Sequence, residues 1–525
     1  MLSAKEIFRA FDWLRDQRRT YENQIDEIQT LFMPYRGDIT TTRAPGTKKI
    51  GPAFDSMGAV EADKFVNFLT SNIFPASGDW IQLSSRDETQ RGALDDATGE
   101  TLELLAESNF YPEASKALRD NAVIGNALLY FEQASPRMQE DGTTWGGLAF
   151  EAVPFANYYH LLDRDGTPLY VARKVNMPVF RAEQFFVRKG DMFKAKGRFE
   201  MDNVELAYIA RPVYGETWSA EGYWLDCEMH KVVRKEKLSY FPFAASRWDT
   251  AAGENYGVGR GHLARPVAKG RNELKRQILM AAGRDLNPAL LTEHESIMNL
   301  DKGTAGIMVI KPSTQNKPEY LRSGTDYQAA QAVATEDAEQ IRTAFMTDLL
   351  EPSTAVERSA EGSRQRQARI VQSIAAPAAS LSSDFLRPIV ENVIGLARAG
   401  GRLASLDGID AMEINFVSPF LSLQKQQSVQ KVADLMNLLG NLQSVTGNET
   451  VLDSIDLDAA TTYIAKNSDV PAKILKDPTP AREARASIEA MDKAVEAQKV
   501  LGADGVPQDL TTLRSQTPGL LGGLE

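Results

Sequence analysis

Residues 326–374 read DYQAAQAVATEDAEQIRTAFMTDLLEPSTAVERSAEGSRQRQARIVQSI. In the first half Tyr327, Ala330, Ala334, Ala338, Ile341, Phe345 and Leu349 recur at steps of three and four, which predicts an amphipathic helix over 326–350. Glu336, Asp337, Glu339 and Asp348 fall off that stripe, so the opposite face is wet and negative. Pro352, Ser353 and Gly362 then break the pattern, and Arg358, Arg364, Arg366 and Arg369 crowd into a window without lysine. Helical spacing resumes behind them. Two helices joined by a polar, basic tip describe a loop held out toward something anionic, with phosphate the natural target. The alternative is a solvated helix end, with Glu357 and Glu361 as local partners for the arginines.

Downstream, Ile370, Ile374, Leu381, Phe385, Ile389, Val393 and Leu396 hold helical phase although Pro377 and Pro388 interrupt the hydrogen-bond ladder, which predicts a kinked helix. A strand over 412–417 follows, then helical spacing from Val429 to Leu442 and, past Pro480, a polar helix to about 501. The remainder carries Pro507, Pro518 and repeated Gly and reads as mobile. Upstream, short apolar runs such as 306–310 lie among Pro, Gly, Ser and Asn and predict a small β-containing excursion over 289–325. Before it comes a helix whose stripe is Leu263, Val267, Leu274, Ile278 and Ala281. If the two helices flanking the excursion run antiparallel, they form a stalk with a knob on its end.

Further toward the start, Ile7, Phe11, Leu14, Tyr21, Ile25, Ile28 and Phe32 share one four/three spacing with Arg18 in the single gap. A packed helix of a larger domain is preferred over a coiled coil. Val60 to Ile73 is a second helix, 80–83 a short strand, Asp95 to about Asn126 helical, and 127–131 strand-like. From Trp145 to Tyr240 aromatic and β-branched runs are broken at 165–166, Asn176, 190–191 and Gly215, as antiparallel strands would be. The shift from helix to strand predicts an α+β fold.

With 525 residues the chain has room for several modules, and a formal net charge of -12 opposes tight nucleic-acid binding over the whole surface. One cysteine, Cys227, precludes an internal disulfide and points to a reducing compartment. No apolar run of membrane-spanning length and no secretory h-region is present, so a soluble, cytosolically made protein is expected.

Gly257, Gly259 and Gly261 miss G-x-G-x-x-G by one residue and read as a flexible lead into the helix. Gly46-Thr47-Lys48-Lys49 lacks the upstream glycine of a phosphate loop, which disfavours a nucleotide-driven motor. His294-Glu295 has Met298 where a second zinc ligand would stand, and Cys227 with His230 is an isolated pair, so no metal, cofactor or catalytic centre is expected. Asp163-Arg164-Asp165-Gly166 is a hairpin turn and lacks the later ligands of a calcium loop.

Taken in order, the opening helix through Arg19, Tyr21, Ile25 and Ile28, then 54–56, 75–83, Arg247-Trp248, 253–257 and 415–419, resemble the portal, or head-to-tail connector, proteins of short-tailed bacteriophages. The resemblance spans roughly 1–470. It implies a homo-oligomeric ring, commonly a dodecamer, at one capsid vertex of the virion, with double-stranded DNA passing through without sequence readout. Terminase, a tail adaptor, capsid and scaffolding proteins are the implied partners, and no membrane is involved. The implied division is a wing over 1–253, a first stem helix over 254–285, a clip over 286–325 and a second stem helix over 326–350. A channel loop and kinked helix fill 351–400, a wing return strand and crown helices 401–475, and a polar helix and tail 476–525. In that frame Arg358, Arg364 and Arg366 are loop residues facing DNA, and Glu336, Asp337, Glu339 and Asp348 belong to an acidic channel wall that repels phosphate within a Debye length of about 8–10 Å. Val356-Glu357-Arg358 and the arginines after it depart from the Thr-rich helix start expected past the loop. The competing classes are another capsid or tail-ring structural protein and a nucleic-acid motor or enzyme subunit.

Overall fold

A computed structural model describes residues 2–41, 53–85, 90–134, 145–186, 199–213, 219–286, 324–350 and 377–406, with single gaps at 37 and 77. It also describes the strand residues 289–291, 297–299, 309–310, 319–321 and 413–416 and short helical pieces near 369–374 and 429–441. The arginines 358, 364 and 366, the residues around His294, the breaks at 190–191 and 215, the Gly46–Lys49 stretch and the polar helix past Pro480 lie outside the described residues. The chain divides into two units, 1–425 and 426–525. In the second, helical residues between 429 and 441 agree with the spacing of Val429, Val432 and Met436.

Helix α1, Ala4–Phe32, begins at a capping box in which Ser3 Oγ accepts from the Glu6 amide and the Glu6 carboxylate accepts from the Ser3 amide. Helices α2, Met57–Ile73, α3, Arg91–Glu107, and α4, Phe110–Ile124, follow, with strand β1, Ile81–Ser84, between α2 and α3. The single helical stretch expected from 95 to 126 is thus two helices. The chain turns at Ser108, whose extended ψ of 178° ends α3, and α4 opens at Phe110, two residues before Pro112.

The strands are β2, Asn126–Gln133, β3, Leu148–Ala152, β4, Tyr158–Leu162, and β5, Pro168–Pro178. Short helix α5, Val179–Phe185, leads to β6, Asn203–Val213, β7, Ser219–Asp226, β8, Lys231–Leu238, and β9, Phe243–Arg247. Strands β4 to β8 form an antiparallel meander in sequence order, and β3-β2-β9 forms a second sheet. The 163–166 turn closes the β4–β5 hairpin with Gly166 at φ 79°, as its sequence predicts. Asn176 is not a break. It lies inside β5 opposite Glu205, because its neighbours Val175 and Met177 carry the strand alternation past it.

The meander has two covered faces. Ala172, Ala207, Ile209, Tyr223 and Leu225 meet Ile7, Phe11 and Leu14 of α1 in a small cluster. Their neighbours Val171, Leu206, Tyr208, Ala210 and Trp224 join the main core with Ile25, Ile28 and Phe32 from the far end of α1. Helix α1 therefore passes from one core to the other, and Arg18, the gap in its stripe, sits at the crossing. Only 4% of Arg18 is exposed; its Nη1 donates to the carbonyls of Phe155, Ala156 (3.2 Å) and Tyr158 (2.7 Å), and its Nη2 meets Glu22 at 2.8 Å. The guanidinium also lies 4.1 Å from the Tyr159 ring centroid.

Helix α6, Arg260–Leu286, leads to strands β10, Ala289–Leu291, β11, Ile297–Asn299, β12, Val309–Ile310, and β13, Glu319–Leu321. Strand β10 pairs with β13 and β11 with β12, both antiparallel, which is the expected β-containing excursion. Helix α7, Tyr327–Ala344, returns from it. A π turn over Leu381–Leu386 precedes helix α8, Arg387–Ala399, with Pro388 in its first turn. There the Arg387 amide bonds back to the Ser382 carbonyl, widening the helix where proline removes the next donor. The predicted stripe is buried at Ile374, Leu381, Phe385, Ile389, Val393 and Leu396.

Strand β14, Glu413–Phe416, pairs antiparallel with β1 in the register Ile81↔Phe416 and Gln82↔Asn415. Trp80, fully buried, stacks between Phe110 and Phe416 at 5.8 and 6.3 Å, with both interplanar angles 11°. Residues more than 300 positions apart in the chain are thus neighbours across one ladder.

Candidate functional site

Of the residues expected at the site, Glu336, Asp337 and Glu339 lie on α7, which pairs with α6, and Asp348 in the turn after it. Three contacts fix the direction of the pair. Arg260 near the start of α6 meets Met346 Sδ at 3.9 Å, Arg271 donates to the Ala334 carbonyl in mid-helix, and Tyr327 donates to Asp285 at the far end. The helices are antiparallel, with the β excursion at their distal end. Asp326 starts α7 by accepting from the amides of Gln328 (3.0 Å) and Ala329 (3.1 Å).

Helix α7 ends earlier than its periodicity predicts. The expected helix over 326–350 stops at Ala344, Met346 turns left-handed at φ 56°, and 347–349 form a 3₁₀ turn. A non-glycine residue in that region costs about 1 kcal/mol or more. Tertiary contacts hold it there: Thr347 donates to Glu61, only 2% exposed on α2, which also meets Lys64 at 3.3 Å and Arg342 at 3.9 Å. Phe345 packs against Phe32 and Phe65. No sequence pattern marks Glu61, which is buried on the apolar side of α2.

The stripe expected on α6 holds at Val267, which packs against the core, and at Leu274 and Ile278, which are half-buried facing α7, but fails at Leu263, which is 63% exposed. At the start of α6 the buried residues are Gly261, Ala264 and Ala268. Small residues win because the backbone of α6 lies directly against α4 and α1. A Cβ on Gly259 would fall 2.5 Å from both the Gly125 amide nitrogen and the Val123 carbonyl oxygen, and one on Gly261 2.6 Å from that oxygen. Gly257 likewise abuts the Gly125 carbonyl. The glycine-rich lead into α6 is a rigid close contact and not a flexible one. Asn126 locks it, donating to the Gly257 carbonyl at 3.0 Å and accepting from the Gly257 amide at 2.8 Å. Glu254 aside, the 253–257 motif is structural: Asn255 bridges the Leu162 amide and the His160 carbonyl, and Tyr256 is buried against His160. Farther along, Asn272 Oδ1 accepts from the amides of Phe54 and Asp55, and Arg271 meets Asp55 at 2.6 Å. Phe54-Asp55-Ser56 is therefore the clasp between α2 and α6.

His160 lies fully buried between Tyr158 and Tyr256, and neither ring nitrogen has a hydrogen-bond partner among the described residues. Burial first, and then the positive charge of Arg247, push its pKa down to about 3. Burial does the same to His262, lowered to about 4. From about pH 6.5 downward the unfolded chain binds protons that the folded chain refuses, so stability falls as pH drops toward 3. The variant His160→Phe keeps the ring stack and is expected to unfold at lower pH than the native chain; acid titration followed by tryptophan fluorescence checks this.

The charge on the pair is uneven. Helix α6 carries seven Lys and Arg against two acids, whereas α7 carries Glu336, Asp337 and Glu339 against Arg342 alone. The net acidity of the chain does not extend to α6. Glu336, Glu339 and Asp348 are exposed and Asp337 is half-buried. Arg369 is exposed on a helical residue beyond the loop. Among the described residues no group of His, Cys, Asp and Glu could hold a metal ion, and no helix is long and apolar enough to cross a membrane.

The sequence model of the bacteriophage head to tail connecting protein family matches residues 4–475. The chain belongs to that family, and so is a structural, portal-type component of an oligomeric assembly at the junction of capsid and tail. No curated protein matches it.

Proposed function

We propose that the chain is the subunit of a portal ring, commonly of twelve copies, that sits at one capsid vertex and conducts double-stranded DNA during packaging and ejection. The family match over nearly the whole chain carries this reading. The antiparallel α6/α7 pair supports it as the stem, the β10–β13 excursion as the clip that meets terminase and later a tail adaptor, and 1–253 as the wing toward capsid and scaffolding proteins. The β1–β14 ladder joins the return strand of 401–475 to that wing.

The passage through such a ring must hold DNA centrally without gripping it. Exposed carboxylates of α7 and the turn after it, Glu339 and Asp348 foremost, repel phosphate at short range, an effect multiplied by the symmetry of the ring. The loop between 350 and 362, with Arg358 on it and Arg364 and Arg366 behind, supplies weak, exchangeable phosphate contacts with no base readout. The triple variant R358A/R364A/R366A is expected to assemble normally and to retain several-fold less packaged DNA, measured as nuclease-protected genome per particle. Unchanged packaging and retention would remove the loop assignment.

A further inference from the structure

The antiparallel helices leave a groove of about 300 Å³ lined by Arg271, Leu274, Lys275, Ile278, Tyr327, Gln331 and Ala334. Its floor is apolar at Leu274, Ile278 and Ala334. Lys275, exposed on α6, has no carboxylate partner among the described residues. On the other side of α7 stands a ridge of complementary character. Val333, Glu336, Asp337 and Gln340 recur at i, i+3, i+4 and i+7, and therefore share one face. Val333 is 50% exposed there, flanked by the two carboxylates. At about 100° per residue, Gln340 on the ridge lies half a turn from Gln331 on the groove wall.

An apolar knob between two acids on one side, and an apolar slot beside a lysine on the other, form a heterologous pair. We infer that the α7 ridge of one copy seats in the α6/α7 groove of the next, Val333 filling the slot over Leu274 and Ile278 while Glu336 and Asp337 face Lys275. The inference rests on the ring reading and deepens it by naming the surfaces that repeat around the ring. It also divides the α7 acids: Glu336 and Asp337 face the neighbouring copy, leaving Glu339 and Asp348 for the passage. A stable interface takes about 20–30 residues from each partner, whereas the groove is lined by seven, so its role is to set the register of a larger contact. Opposite charges near the surface make that register sensitive to salt.

The test uses the full chain. Lys275→Glu is expected to raise the concentration at which half the chains are assembled about tenfold, as read by analytical ultracentrifugation, and K275E/E336K in one chain to restore it. Separately, chains carrying Ile278→Cys and chains carrying Val333→Cys, both with Cys227→Ser and differently tagged, are co-expressed and oxidised. A disulfide between the two tags is expected. Rings that form in electron micrographs while K275E assembles like the native chain and no cross-chain disulfide appears would overturn this interface and leave the ring reading standing. Native chains that stay single under the same imaging would overturn both, and a disulfide only between identical chains would mean an isologous dimer in place of the ring.

Discussion

Replacing Gly259 by alanine is expected to cost more than about 3 kcal/mol, the cost of forcing backbone apart in a packed interior. The new methyl carbon would lie 2.5 Å from the Gly125 nitrogen and 2.5 Å from the Val123 oxygen, and neither is a side chain that can swing away. Gly125 has no slack to offer, since it sits at φ 96° as the left-handed cap of α4, with its amide bonded to Asn121 and its carbonyl to the Trp248 amide. The displacement would pass to the start of α6 and so to the whole hairpin. Gly270, on the same helix with nothing within 4 Å of an added Cβ, is the control. Gly270→Ala is expected to stabilise by up to about 1 kcal/mol through helix propensity. Urea unfolding of the two variants beside the native chain reads both effects, and equal midpoints would refute the packing argument.

Arg18→Leu is the second large effect, at about 3–5 kcal/mol. A leucine would continue the apolar stripe of α1 and would look favourable from periodicity alone. It would, however, strip donors from the carbonyls of Phe155, Ala156 and Tyr158 and leave Glu22 without its 2.8 Å partner. Arg18→Lys is expected to recover only part of the loss, because one ammonium cannot present the fork that reaches three carbonyls and a carboxylate while stacking on Tyr159. Denaturant midpoints and near-ultraviolet circular dichroism of the aromatic cluster check the order native, Lys, Leu.

These two positions also mark where the sequence could and could not be read. Periodicity found α1, α2, the 412–417 strand and the buried face behind Ile374, because each is decided by one apolar face. It placed Arg18 in the seam but had no way to show that the seam joins two cores. It chose Leu263 for the packed side of α6, whereas a glycine-to-glycine approach selects Gly261, Ala264 and Ala268, a signal carried by small residues that hydrophobic patterns ignore. The left-handed turn at Met346 that follows α7 depends on the bond from Thr347 to Glu61, 286 positions earlier in the chain, and no local rule reaches that far. Of the site, the acids on α7 are legible as an off-stripe face, while the excess of base on α6 is hidden in a total charge of -12 that averages over the whole chain. The loop arginines 358, 364 and 366 lie outside the described residues.

Closure of many copies around a passage is read most directly in averaged electron micrographs of the purified full-length chain. The prediction is a radially symmetric ring with a central opening wide enough for a DNA duplex, roughly 20 Å. Single, unclosed particles at every protein and salt concentration would contradict it.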